Sequence, residues 1–99
     1  MNDSFRLAVL SDVHGDVHAL LDALAAVDRL GCAEVVCLGD LVDHGLFPNE
    51  VIDTLASRRI VTVLGNHDRW ALERGSLGGG WSLDLSSRRW LRALPGSWR

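Results

Sequence analysis

Three stretches decide how this chain reads: Leu7-Ala8-Val9-Leu10-Ser11-Asp12-Val13-His14-Gly15, Val35-Val36-Cys37-Leu38-Gly39-Asp40-Leu41-Val42-Asp43, and Ile60-Val61-Thr62-Val63-Leu64-Gly65-Asn66-His67-Asp68. Each begins as an apolar run and ends in a polar cluster. The runs have the length and β-branched content of strands. The clusters place Asp, His and Asn at the end of three successive strands. Oxygen and imidazole donors of this kind are the ligand set of a hydrolytic metal centre. One such cluster is also what ordinary turn chemistry produces, because Asp, Asn and Gly are turn residues. Three in the same relation to their strands, with two histidines among them, point to a shared site.

The segments between the runs are helical. Asp16 is placed to cap a helix whose apolar face carries Leu20, Leu21, Leu24, Val27 and Leu30, with Gly31 as the stop. Pro48 suits the first turn of a second helix, with Val51, Ile52 and Leu55 as its stripe. Asn66 can cap a third, short helix running through Trp70 and Leu72 to Gly75. Strands are expected over residues 5–10, 34–38 and 60–64. The order β-α-β-α-β-α implies parallel strands joined by right-handed crossovers. The carboxyl ends of such strands share one edge, and ligands of open α/β sheets bind there. All three clusters fall on that edge.

Residues 1–75 therefore form one α/β unit. A glycine-rich joint follows at 76–80, and residues 81–99 carry one more amphipathic helix, with Leu85, Trp90, Leu91 and Leu94, ending before Pro95. Ninety-nine residues at 47% hydrophobic make a single small domain. The formal net charge of -3 gives no indication of a nucleic-acid-binding surface. No lysine is present, which removes lysine nucleophiles and Schiff-base chemistry. Cys32 and Cys37 are read as unpaired, Cys37 as a small core residue. No apolar stretch has the length of a membrane span, and the N-terminus lacks the pattern of a signal peptide, so a cytoplasmic protein is expected.

The residue types assign roles. Asp12 and His14 lie two apart, and in an extended segment both side chains point to one side, toward one cation. Asp40 follows the second strand and can bridge two ions; two-metal hydrolases hold them about 3.5–4 Å apart. Asn66 offers a neutral carbonyl oxygen to a second ion. His67 can donate a proton to a leaving oxygen, and Asp43 can accept from its ring and set the tautomer. Asp68 reads as a favourable charge in a first helical turn. His18 and His44 read as surface or loop histidines, the four tryptophans as core or interface, and Arg58-Arg59 as the cationic end of a helix.

The series D-x-H, G-D-x-x-D and G-N-H-[DE], from about Leu7 to Trp70, resembles the calcineurin-like metallophosphoesterase superfamily. Ser11-Asp12-Val13-His14-Gly15 and Pro48-Asn49-Glu50-Val51-Ile52-Asp53 look most like its small prokaryotic branch of phosphodiesterases and phosphatases. The resemblance implies a sandwich of two sheets flanked by helices, of which this chain carries the first half. It implies metal ligation by Asp12, His14, Asp40 and Asn66, with Asp40 bridging, and His67 acting on the phosphate, oriented by Asp43. Two divalent ions, drawn from Mn, Fe, Ni, Zn and Mg, serve the family's hydrolysis of phosphate esters. The family pattern continues with a further His and a G-H-x-H motif, but no histidine follows His67 here. The expectation is a metal-dependent phosphoesterase in truncated or split form, with a phosphate-ester substrate and a second chain or copy completing the sandwich. Two other readings stay open: a non-catalytic metal- or phosphate-binding module of the same fold, and a plain α/β domain without metal.

Overall fold

The computed structural model describes residues 5–43, 45–74 and 83–95. Three short parallel strands, β1 (Leu7–Leu10), β2 (Glu34–Cys37) and β3 (Val61–Thr62), form a sheet in the order β1-β2-β3. They alternate with α1 (Val17–Leu30), α2 (Pro48–Ser57) and α3 (Asn66–Arg74), and α4 (Leu85–Ala93) closes the series. Sequential strands joined by right-handed crossovers in one direction put their helices on one face of the sheet. α1 packs against α2, and α4 packs against both α2 and α3.

Local chemistry sets the helix boundaries. The Asp16 carboxylate accepts the Ala19 N–H at 3.0 Å and starts α1, and Gly31 ends it in the left-handed conformation at φ 66°. Pro48 occupies the first turn of α2, where its missing N–H is not needed. Asp84 caps α4 by accepting the Ser87 N–H at 2.9 Å and the Ser86 hydroxyl at 3.0 Å, and these donors hold its carboxyl below the usual range. Asn66 is the first residue of α3 rather than its cap. Gly65 stands in the cap position: its carbonyl accepts from the Arg69 N–H, and its own N–H donates to the Asp68 carboxylate three residues on.

Strand register defines two unlike faces. Leu10, Cys37 and Thr62 lie side by side and face the helices, with Cys37 and Thr62 buried. Leu7, Val9, Val36 and Val61 line the opposite face, where Leu7, Val9 and Val61 are each more than half exposed, as is Leu38 just beyond β2. The run at 5–10 is thus a one-sided strand, not a fully buried one. β3 is also shorter than its apolar run: the Val63 N–H still donates to the Cys37 carbonyl at 3.0 Å, but the Leu64 N–H donates to the Pro95 carbonyl at 2.9 Å, where the segment after α4 returns to the β3 edge. Parallel sheets ordinarily have both faces covered, whereas this face leaves large apolar side chains exposed.

The core lies between the sheet and the helices. Leu20, Leu24, Val51, Ile52, Leu55 and Leu91 fill it. Leu21 and Leu30, expected on the apolar face of α1, are exposed instead, and Val17 takes part in the core. Leu41 and Val42 are fully buried although they lie in the loop after β2. Each contributes about 1.5–3 kcal/mol by leaving water, which anchors that loop on the core. Both described cysteines are unpaired, and no helix among the described residues is long and apolar enough to cross a membrane. The glycine-rich joint at 76–80, Trp81, Trp98 and His44 lie outside the described residues. Trp90 packs against the core.

Candidate metal centre

Beyond the last residues of β1 and β2 the two strand-end loops stay zipped together. The Asp12 N–H donates to the Gly39 carbonyl at 3.4 Å, His14 to Asp40 at 2.9 Å, Gly15 to Leu41 at 2.6 Å, and Phe47 to Gly15 at 3.0 Å. The loops after β2 and β3 approach as closely. Gly39 has φ 103°, and a Cβ there would lie 2.5 Å from the Gly65 nitrogen, so only glycine fits. This packing brings Asp12, His14 and Asp40 together: one donor atom from each lies within 4.8 Å of the others. His14 Nε2 is 3.5 Å from Asp12 Oδ1, and the Ser11 hydroxyl donates to the other Asp12 oxygen at 2.8 Å.

The backbone route to this convergence is not the extended one expected. Asp12, His14 and Asp40 have φ of 57°, 49° and 55°, all left-handed. Arg59, at the end of α2, is the one other non-glycine residue among those described with positive φ. A left-handed conformation costs an ordinary residue about 1–2 kcal/mol. Three adjacent instances are held by the inter-loop hydrogen bonds, and they turn the donors inward. His14→Gly is therefore expected to be more stable than His14→Ala by about 1 kcal/mol, since both lose the ring but only Gly relaxes the backbone. Urea unfolding of the two variants measures the difference. Equal stabilities would show that position 14 carries no strain.

His67 sits beside this cluster. Its Nδ1 is 2.6 Å from Asp43 Oδ2, both side chains being largely buried, and its ring meets that of His14 edge-on at 5.6 Å and that of Trp70 at 5.0 Å. The His67 N–H donates to Asp40 Oδ1 at 3.2 Å, so Asp40 ties the start of α3 to the cluster. Asn66, adjacent to His67, is exposed on the same edge. Trp70 is 45% exposed and belongs to the rim of this site rather than to the core. Arg58 lies elsewhere, paired with Asp28 at 2.9 Å.

Asp68 has a larger part than a helix-dipole charge. It is fully buried, and its two oxygens accept the Leu41 N–H at 2.7 Å and the Gly65 N–H at 3.0 Å. Burial pushes its carboxyl above the ordinary range, and the two N–H donors pull against that. One carboxylate thus fastens the loop after β2 to the loop after β3, on either side of Asp40. The signal in the sequence was an acid three residues after Gly65, the spacing of a residue that bonds back to a cap.

Hard carboxylate oxygens with one imidazole, at these separations, fit a divalent cation such as Mn, Fe or Zn. The three-stranded parallel sheet thus carries a group of carboxylate and imidazole donors at the carboxyl ends of its strands. The family model for calcineurin-like phosphoesterases matches residues 5–97, and the chain belongs to that family. It is 37% identical over 71 residues to the uncharacterised protein MJ0912 of Methanocaldococcus jannaschii, a match covering 72% of this chain and 29% of that protein. The crystal structure of a metallophosphoesterase from Sphaerobacter thermophilus superposes with a TM-score of 0.76 at 28% identity, covering 94% of this chain and 42% of that one. The chain thus spans under half the length of both proteins.

Proposed function

We propose that this chain hydrolyses phosphate esters, with Asp12, His14 and Asp40 holding one divalent ion, and Asp40 and Asn66 contributing to a second. The assembled Asp12-His14-Asp40 cluster beside the His67–Asp43 pair carries this reading. Bound ions supply Lewis acidity toward the phosphoryl oxygens and acidify water. The residues of the chain do the rest. Asp43 accepts the Nδ1 proton of His67, so the proton that His67 gives up is the second one, carried on Nε2 of the doubly protonated ring, whose charge the Asp43 carboxylate balances. As water adds to phosphorus and the ester P–O bond breaks, that proton passes to the leaving oxygen, and the alcohol departs neutral. Asp40 positions His67 through its backbone N–H, and Asp68 positions Asp40 through the neighbouring loops.

Turnover of p-nitrophenyl phosphate and of its bis-ester in the presence of Mn tests the proposal and separates monoesterase from diesterase. His67→Ala is expected to lower kcat by about 100-fold or more, and Asp43→Asn to lower it less while moving the pH profile. Mn binding with no turnover of either ester would replace hydrolysis with the binding-module reading. The exposed face of the sheet supports a further element of the proposal: a second chain or a second copy covers Leu7, Val9 and Val61. Sedimentation of the same preparation, showing only monomer at every concentration, would remove that element.

A further inference from the structure

A cleft of about 520 Å³ opens from the metal cluster, between the loop after β1 and the loop after β2. Its lining has two kinds of chemistry. Asp12 and His14 are members of the cluster. Leu46, Phe47 and His18 are not, and the His18 and Phe47 rings meet edge-to-face at 5.3 Å and 81°. Leu46, a large apolar side chain, is 59% exposed. Asp16 completes the wall, its carboxylate occupied in capping α1.

We infer that this cleft receives the organic group of the phosphate ester, and that the group is a planar, apolar ring of the aryl kind. The inference rests on the phosphoesterase reading and narrows its substrate. Two features favour a ring. Aromatic edges and faces pack against one another in the arrangement that His18 and Phe47 already show. Beyond the metal cluster the wall contains one further carboxylate, Asp16, and no arginine among its described residues, so it offers a second phosphate or a carboxylate on the substrate no arginine to pair with. The walls are set in advance: the Phe47 N–H donates to the Gly15 carbonyl at 3.0 Å, and a Cβ on Gly15 would lie 2.8 Å from Gly45 Cα, so the two loops are in backbone contact.

The test is binding, read by ¹H–¹⁵N NMR on the full chain with Mg, with phenyl phosphate, methyl phosphate and inorganic phosphate as probes. Phenyl phosphate is expected to bind at least about 10-fold more tightly than methyl phosphate, as burial of a ring implies, and to shift the resonances of His18, Leu46 and Phe47. Leu46→Asp, a change at an exposed position, is expected to abolish that preference, phenyl and methyl phosphate then binding alike. Phe47→Ala is expected to reduce it. Equal affinities for the three probes, or a preference that survives Leu46→Asp, would overturn the inference and leave the phosphoesterase reading standing. A chain that binds the cation but none of the three probes would overturn both.

Discussion

Asp68→Ala is expected to unfold most of the chain at ambient temperature. The substitution leaves the Leu41 and Gly65 N–H groups buried without their acceptor, at about 1–3 kcal/mol for each. A domain of this length has about 5–15 kcal/mol in total and, with one sheet face exposed, belongs near the lower end. If Asp68 served only the helix dipole, the loss would be about 0.3–1 kcal/mol, so the magnitude separates the two roles. Asp68→Asn keeps one acceptor oxygen but turns an amide N–H₂ toward the other donor, and its loss should fall between. Asp22→Ala, an exposed change on α1, should stay within about 0.5 kcal/mol. Thermal melts of the four proteins decide the matter. An Asp68→Ala protein that melts with the parent would remove the clamp from the description of the site.

Asp40→Ala is expected to weaken Mn binding by more than about 100-fold and to eliminate turnover. Loss of a group that merely orients a ligand typically costs 10- to 100-fold, and Asp40 both stands in the donor cluster and accepts the His67 N–H. The readout need not be activity. A cation that binds the folded chain raises its melting temperature, by an increment equivalent to about 2.7 kcal/mol at 100 times Kd. The parent chain should show that shift with Mn and the variant should not. Asp53→Ala, on the exposed side of α2, should retain it. An unchanged Mn response in Asp40→Ala would place the ion elsewhere or nowhere.

Much of the site could be read from residue type and spacing. Asp12, His14, Asp40, His67 and Asp43 each followed an apolar run at a short, fixed distance, and alternating strands and helices leave one common edge for such groups. The pairing of His67 with Asp43 depended on the same topology, since the two lie 24 residues apart and meet only where the loops after β2 and β3 touch. Asp68 was misjudged because its charge, one turn into a helix, is equally at home on a surface. Only its burial against Leu41 and Gly65 distinguishes the two settings. Trp70 read as core or interface, and the turn of α3 sets its ring, partly exposed, beside that of His67.

The aryl cleft belongs to the same category. His18, Leu46 and Phe47 carry no motif, and they become a wall only because glycines let the loops after β1 and β2 come into backbone contact. The left-handed backbone at Asp12, His14 and Asp40 was likewise hidden. Asp and His enter it more readily than most residues, but it stays a minority conformation for them, and hydrogen bonds between loops hold it here. Periodicity and turn residues are local properties, so the order of elements and the common edge on which the candidate donors gather were written in the chain. Strain, burial of a charge and contact between loops depend on which distant segments meet, and the packed sheet alone decided them.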